Sequence, residues 1–404
     1  MGAFSGPRLL ALVALLVVAG TAGAVAPSAP TPGGEVTQAD PGAVVTLGDT
    51  ANQATPDAVT RRTYARADVD VASAVSVGAA RLGGRHAELT FDERLERAEG
   101  GGTKLAVTTA ALAGIERRLD RLDDRQRGLF AAYGDGAVST RTFLRRLGAV
   151  QVAAAQERAL LERVSERADR STAFSLPVST QTRVARLRGT LVALPNPVLD
   201  RVVAGTTGVA EPEVVYLQAA RDGLVATAVD DGTYLRQATL RAERAPGEPN
   251  QFASITLAYD RAGELYPWVF ENSIGSPSLS GFGNSSVYLV EATHPQGDLR
   301  AYIDGATRSV FHETQANSPE AVPVTLTRSA TADSLRAQVN TTHPTGPLWV
   351  TVTRNGGAVN ATVRVNGQLV GTTGEDGRLL TVQPAGTFQV EATAGTANVT
   401  VTGS

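Results

Sequence analysis

Cysteine is absent from all 404 residues. No disulfide can staple a small domain, so each domain has to close on packing alone, which argues against units much below about 60 residues. Histidine is scarce too. His86, His294, His312 and His343 are the four in the chain, none is paired with another at helical metal spacing, and without thiolates a zinc site would need distant carboxylates. Each reads as solvated or structural. An excess of one charge sign is also lacking. The formal net charge is −3, which leaves no global electrostatic case for nucleic acid or an acidic surface as partner.

Chemical motifs are missing as well. There is no G-x-S-x-G nucleophile elbow. Gly281-Phe282-Gly283 lacks the third glycine and the strand-to-helix setting of a dinucleotide loop. It belongs to a Ser/Gly-rich loop, with Gly275-Ser276-Pro277-Ser278, beside the aromatics Tyr266, Trp268 and Phe270. Those rings read as core between helix and sheet, with a ligand-facing loop as the alternative. The acidic turns Asp230-Asp231-Gly232 and Glu375-Asp376-Gly377 lack the ligand order of a calcium loop, and turn geometry explains Asp before Gly. The sequence therefore offers no catalytic residue, no cofactor-binding residue and no metal ligand.

What is present begins with residues 1–26. Arg8 precedes the apolar run Leu9 to Ala19, and the segment closes on Ala24-Val25-Ala26. A basic start, an apolar centre and an A-x-A site predict a secretory signal cleaved after Ala26. A retained membrane anchor is the rival, because Leu9 to Ala26 is about as long as the shortest spanning helices, roughly 17 to 20 residues. Pro27, Pro30 and Pro32 follow, and residues 27–58 read as a flexible linker.

Residues 59–172 read as a helical domain. Leu105, Thr108, Leu112, Ile115, Leu119, Leu122, Gln126, Leu129 and Tyr133 step by three and four, an a/d ladder. Gly134-Asp135-Gly136 breaks it and Ser139 caps the next helix. A second ladder runs Phe143, Leu147, Val150, Ala154, Glu157, Leu161, Val164, Ala168. Two ladders joined by a short loop predict an antiparallel coiled-coil hairpin. Charges such as Glu116-Arg117-Arg118 and Asp123-Asp124-Arg125 read as its solvated flank. Before it, Tyr64 to Leu82 alternates enough to allow a strand. Phe91 to Glu99, capped by Thr90, reads as a short helix ended by Gly100-Gly101-Gly102.

Residues 173–316 read as α+β. A helix fits Thr180 to Leu194, and Asn196-Pro197 starts another. Strands fit Glu213 to Ala219, Leu224 to Val229 and Thr233 to Ala242, with Asp-Gly turns between them. A helix over Gln251 to Leu265 precedes strands at Ser286 to Thr293, Leu299 to Ile303 and Ser309 to Glu313. Residues 317–345 read as a linker with room for strands at Val322 to Thr327 and Leu335 to Asn340. Residues 346–404, with turns at Asn355-Gly356, Asn366-Gly367, Asp376-Gly377 and Ala385-Gly386, predict a small β-sandwich.

Two segments resemble known families. Val287 to Glu291, the turn at Gly297, and Leu299 to Asp304 with Thr307 and Val310 resemble a PepSY repeat, with Arg308 replacing the usual glycine. That resemblance implies a helix-plus-hairpin unit and a role in regulating or inhibiting peptidases. Val363-Arg364-Val365-Asn366-Gly367, Gly371-Thr372-Thr373, Asp376-Gly377-Arg378 and Pro384 to Val390 resemble the carboxypeptidase-regulatory or PEGA class of Ig-like domains, which implies a passive module. Lys104 is the single lysine among many arginines, and the Ala, Val, Thr and Gly bias with it resembles exported haloarchaeal proteins, although the small net charge departs from their acidic habit. The whole is similar to a haloarchaeal secreted multidomain family of uncharacterised function.

The expectation is an exported, non-enzymatic, modular α+β protein without a cofactor, extracellular or held at the cell surface. It would meet protein partners at the envelope, bind no nucleic acid, touch the membrane only through an uncleaved N-terminal segment, and have the hairpin available for oligomerisation. The alternative is a regulator of an exported peptidase. Asn284, Asn340, Asn360 and Asn398 lie in N-x-S/T sequons that export would expose to glycosylation.

Overall fold

The computed structural model describes residues 44–171, 174–192 and 196–403. The expected signal, Ala26 included, lies outside them. Two short strands, β1 (Val44–Val45) and β2 (Gln53–Ala54), pair with each other. β3 (Arg61–Arg66) is followed by α1 (Val71–Arg97), α2 (Gly100–Gly134), α3 (Thr140–Asp169), α4 (Val178–Val192) and α5 (Pro197–Thr206). Caps set the starts. Asp70 accepts from the Ala72 N–H at 3.0 Å, Ser139 from Thr142 at 3.3 Å and Asn196 from Leu199 at 2.7 Å. Each satisfies a backbone donor that the first turn leaves unpaired.

The ladders on α2 and α3 face inward. Leu112, Ile115, Leu119 and Leu122 pack with Ala154, Leu161 and Val164. Glu157 is buried in its ladder because Arg118 of α2 reaches it at 2.5 Å. α1 closes against α3, where Arg163 and Arg167 both hold Asp92. Burial works to raise the Asp92 carboxyl, but the two guanidinium groups win and hold it below the usual carboxylate range. α1 differs from expectation. It runs unbroken through Thr90, and the chain leaves the helix at Ala98 and Glu99, so the glycine run opens α2 instead of ending α1.

The middle of the chain supplies β4 (Val214–Ala219), β5 (Gly223–Asp230), β6 (Thr233–Leu240), α6 (Ile255–Leu265), α7 (Pro267–Glu271), β7 (Ser278–Gly281), β8 (Val287–His294), β9 (Gly297–Asp304) and β10 (Val310–Asn317). β10 pairs antiparallel with both β6 and β9, which fuses the two expected strand sets into one eight-stranded sheet, β3-β4-β5-β6-β10-β9-β8-β7. Asp231 and Gly232 both take positive φ, 44° and 74°, the geometry of a two-residue hairpin turn. One face of the sheet packs on Phe130, Tyr133, Phe143 and Leu147 of α2 and α3 and on Val198 and Val202 of α5. The other packs on Ala258, Ala262, Tyr266 and Val269 of α6 and α7.

Two boundaries drawn from composition move. The segment 27–58 was expected to be a tether, yet Ala51, Asn52, Gln53 and Ala54 are buried. Polar side chains of the sheet bind its backbone: Glu313 accepts from the Ala54 N–H, Arg236 donates to the Ala54 carbonyl, and Gln315 donates to the Asn52 carbonyl. Composition does not reveal this, because residues 44–58 carry little apolar mass and the stretch Asn52 to Ala54 is held by hydrogen bonds. Likewise Arg61–Arg66, placed in the helical domain, is the edge strand beside β4.

The last strands are β11 (Leu326–Ala332), β12 (Leu335–Thr341), β13 (Pro347–Arg354), β14 (Gly357–Ala358), β15 (Thr362–Val365), β16 (Gln368–Thr372), β17 (Arg378–Val382), β18 (Phe388–Ala394) and β19 (Ala397–Gly403). β11, β12, β13, β14 and β17 form one sheet and β16-β15-β18-β19 the other. The β-domain therefore begins at β11, inside the expected linker 317–345. Asp333 and Ser334, both at positive φ, make the β11–β12 turn without a glycine to announce it. The domain docks on the large sheet through Tyr64 and Tyr216, whose ring centroids lie 4.9 Å apart within its core cluster. The Tyr64 hydroxyl donates to the Val382 carbonyl at 2.5 Å. Among the described residues no helix is long and apolar enough to cross a membrane.

Candidate functional site

A cavity of about 310 Å³ lies where the helical layer meets the large sheet. α2 and α3 supply an apolar wall of Leu119, Leu122, Leu147, Val150 and Ala154. The floor is polar: Gln237 and Thr239 of β6 beside Phe311 and His312 of β10. Arg241 and Arg244 enter from the turn that ends β6. The Arg241 N–H donates to the Asp222 carbonyl, continuing the β5–β6 ladder, and the Arg244 N–H donates to the Arg241 carbonyl, which closes the turn.

The two arginines are in different states. Arg241 donates to Gln126 at 2.9 Å and to Asp123 at 2.8 Å, so its charge is met by α2. Arg244 makes no ion pair among the described residues. Its guanidinium carbon stands 4.9 Å from the centre of the Phe311 ring, a cation–π contact. Its Nε is buried without a hydrogen-bond partner, as are the Arg241 Nε and the Gln237 Oε1. Burial pulls the Arg244 guanidinium below its usual range, with Asp304 and Asp123 acting more weakly the other way. His312 meets the Thr239 hydroxyl through Nδ1 at 3.2 Å.

A second polar cluster lies on the opposite face of the sheet. Arg236 and Glu313 are fully buried and bonded at 2.6 Å, and Tyr266 donates to the second carboxylate oxygen at 2.7 Å. His343 sits above it. Its Nδ1 donates to the Pro344 carbonyl at 3.0 Å, leaving Nε2 to accept from Gln53 at 3.4 Å. This arrangement keeps the ring neutral. Burial pushes its pKa down to about 4, with the Arg236 charge adding to the effect. Both oxygens of the Glu313 carboxylate and both terminal nitrogens of Arg236 are engaged in holding the pair and the chain at Asn52 to Ala54, with the Arg236 Nε left unbonded, so the cluster reads as structural.

The sites expected from sequence do not converge. Asn284 falls in the short turn Gly283–Ser285. Asn340 lies half-buried on β12, its Oδ1 accepting from Thr327 and Gln338. Asn360 is exposed ahead of β15, and Asn398 is exposed on β19 and bonded to Glu391. His86 is exposed on α1, and His294 is buried against Trp268 with centroids 5.5 Å apart. Tyr266 is core, as expected, while Trp268 and Phe270 are half-buried. Among the described residues no group of three or more His, Asp or Glu is placed to hold a metal ion. The cavity residues Gln237, Arg241 and Arg244 went unnoticed in the sequence. The faint signal is a strand that ends Leu240-Arg241-Ala242-Glu243-Arg244, with more cation than the local acids balance.

A family model described as a domain of unknown function (DUF7096) matches residues 6–211. A family of unknown function (DUF7094) matches residues 215–323, where the sequence suggested a PepSY unit. An archaeal fibronectin-III type-like domain matches residues 326–401, which agrees with a β-domain that starts at β11. No curated protein and no solved structure matches the chain. The cavity thus has its apolar wall in the first matched region and its polar floor in the second. Three models in series describe an archaeal multidomain chain, and as the first spans more than half of the residues, the chain belongs to the DUF7096 family.

Proposed function

We propose that this chain is an exported, non-enzymatic interaction protein of the archaeal cell envelope that self-associates through its helical layer. One observation carries the reading. Val71, Val75, Leu82 and Leu89 are 77 %, 67 %, 74 % and 53 % exposed on α1. Their spacings of four and seven put them in one row, on the side of α1 away from the buried Ser73, Val77, Phe91 and Leu95. An apolar row in register with a heptad is the surface a second such helix covers. A second copy of the chain is the occupant this reading commits to, its α1 laid along this one with Arg81, Arg85 and Glu88 at the rim. The signal-like N-terminus and the fibronectin-like C-terminus support the export half of the reading, and the packed apolar seam between α2 and α3 supports reading the layer as a stiff spacer.

Light scattering on the purified chain should give a dimer, and Leu82→Glu should give a monomer that keeps its helical circular dichroism. A wild-type monomer found free of the envelope on cell fractionation would sink the proposal. Glycosylation belongs to the same reading, with Asn360 the foremost acceptor because it is exposed in a loop. Intact mass before and after deglycosylation should differ, and an unmodified mass removes this part. A second reading, regulation of an exported peptidase, is supported by the order of α6 followed by the hairpin strands β8, β9 and β10. Proteases of the same culture supernatant should then be inhibited by excess purified chain, and unchanged proteolysis ends it.

A further inference from the structure

The cavity between the helical layer and the sheet holds a guanidinium, Arg244, that forms no ion pair among the described residues, with Asp304 and Asp123 acting on it only from further off. Arg244 is half-buried with its Nε out of reach of water, and a cation that has lost part of its hydration without bonding a carboxylate is costly. The cation–π contact with Phe311 offsets part of that cost. The Arg244 Nε remains unbonded, and so does the Gln237 Oε1 on the same floor. Folded proteins pair such groups unless something else comes to pair them.

The lining fixes what that something is. Arg127 and Arg241 share Asp123, and Asp222 stands exposed at the rim with its carboxylate in water. Arg244 is the lining cation without a bonded carboxylate, and with Asp304 and Asp123 already acting on it from further off, a single negative charge is the most it takes. A dianion is disfavoured by Asp123 and Asp222 nearby. On the facing wall Leu119, Leu122, Leu147, Val150 and Ala154 form an apolar stretch, flanked by Gln126 and Gln151, that suits an apolar body. A volume of about 310 Å³ lies at the small end of ligand pockets, which excludes a whole two-chain lipid.

We infer that this cavity binds a small amphipathic monocarboxylate, its carboxylate paired with Arg244 and its apolar body against the α2–α3 wall. The inference is independent of self-association through α1, which lies on another surface. Two parallel N–H···O bonds from a guanidinium to a carboxylate give both charge and direction, and Arg244 has its donors free for them. Gln237 at the floor accepts a hydrogen bond from a hydroxyl on the ligand, which favours hydroxy acids over plain ones.

Octanoate is the probe. Isothermal titration of the full chain at low chloride should show saturable binding of one octanoate per chain, with 1-octanol and octylamine at least tenfold weaker. Arg244→Met keeps the apolar stem and removes the charge. It should weaken octanoate at least tenfold while leaving the ligand-free melting temperature equal or higher, since a partly desolvated charge without an ion pair has gone. If that variant does not fold, Ala154→Phe fills the cavity from the opposite wall, keeps Arg244 and should likewise abolish binding. No saturable binding to the wild type, equal affinity for octanol or octylamine, or wild-type affinity in the folded variants overturns the inference. A light-scattering mass unchanged by octanoate keeps this result separate from that of the α1 surface.

Discussion

Arg236 and Glu313 put opposite charges at the centre of the large sheet, both fully buried. The pair persists because every atom of the carboxylate is used: Arg236 and Gln315 on one oxygen, Tyr266 and the Ala54 N–H on the other. Removing one partner leaves the other charge unanswered in a low-dielectric interior. Glu313→Ala should therefore destabilise the protein by about 3–5 kcal/mol in urea titrations, whereas Arg236→Met with Glu313→Leu should recover most of that loss. A double variant no better than the single one would show that the hydrogen bonds to residues 52–54, not the charges, carry the stability.

His343 makes a pH-dependent contribution at the same scale. Folded, it titrates at about 4, below the usual value of 6.5. Between those values the unfolded chain takes up a proton that the folded one refuses. The His343 contribution is present above about pH 6.5 and is lost as the pH falls through 4, a loss of about 2–3 kcal/mol. Glu213 runs the other way. Burial, and then the neighbouring Asp230, push its carboxyl up to about 7 against the pull of Arg201. Its contribution is present below about pH 4.5 and fades as the pH rises through 7. Stability curves of wild type and His343→Gln should converge toward pH 4 and separate above pH 6, and parallel curves would exclude His343 as the titrating group.

At the scale of elements, caps matter most where helices are short. α5 has ten residues and sits on the sheet beside the cavity, so its first turn positions Leu199 there. Asn196 bonds the Leu199 N–H from a buried position, with Pro197 at the first turn. Asn196→Ala should cost about 1 kcal/mol by urea denaturation, and Asn196→Gly only a few tenths. This element was legible in the sequence because cap and proline are local signals, and the two ladders were legible because a heptad period repeats over many residues. The Asp231-Gly232 and Asn366-Gly367 turns were legible for the same reason: positive φ needs a residue that tolerates it. The cavity was not. Arg118, Glu116 and Asp123 read as solvated flank, yet they reach Glu157, Arg183 and Arg241 on other elements. No spacing within one helix encodes a partner that tertiary packing brings from elsewhere, and Arg244 owes its isolation to that packing.

On the scale of the whole molecule, the fibronectin-like domain is coupled to the rest by few groups. Tyr64 from the edge strand β3 and Tyr216 from β4 enter its core cluster. The Tyr64 N–H donates to Gln368 at 2.7 Å, the Ala385 N–H donates to the Tyr216 hydroxyl at 3.2 Å, and Tyr234 donates to the Thr345 carbonyl at 2.8 Å. Sequence reading separated these domains with a linker because the contacts are single tyrosines from strands that look ordinary alone. If those tyrosines are the coupling, the wild type should unfold in one calorimetric transition. Truncating a buried aromatic costs about 3–5 kcal/mol, and here the loss falls on the contact more than on either core. Tyr64→Ala with Tyr216→Ala should therefore split the endotherm into two, the fibronectin-like domain melting on its own, while Tyr64→Phe, which loses only one hydroxyl, should keep a single transition about 1 kcal/mol less stable. A single unshifted transition in the double alanine variant would place the coupling instead at Tyr234 and His343, on the same face of the sheet two strands further in.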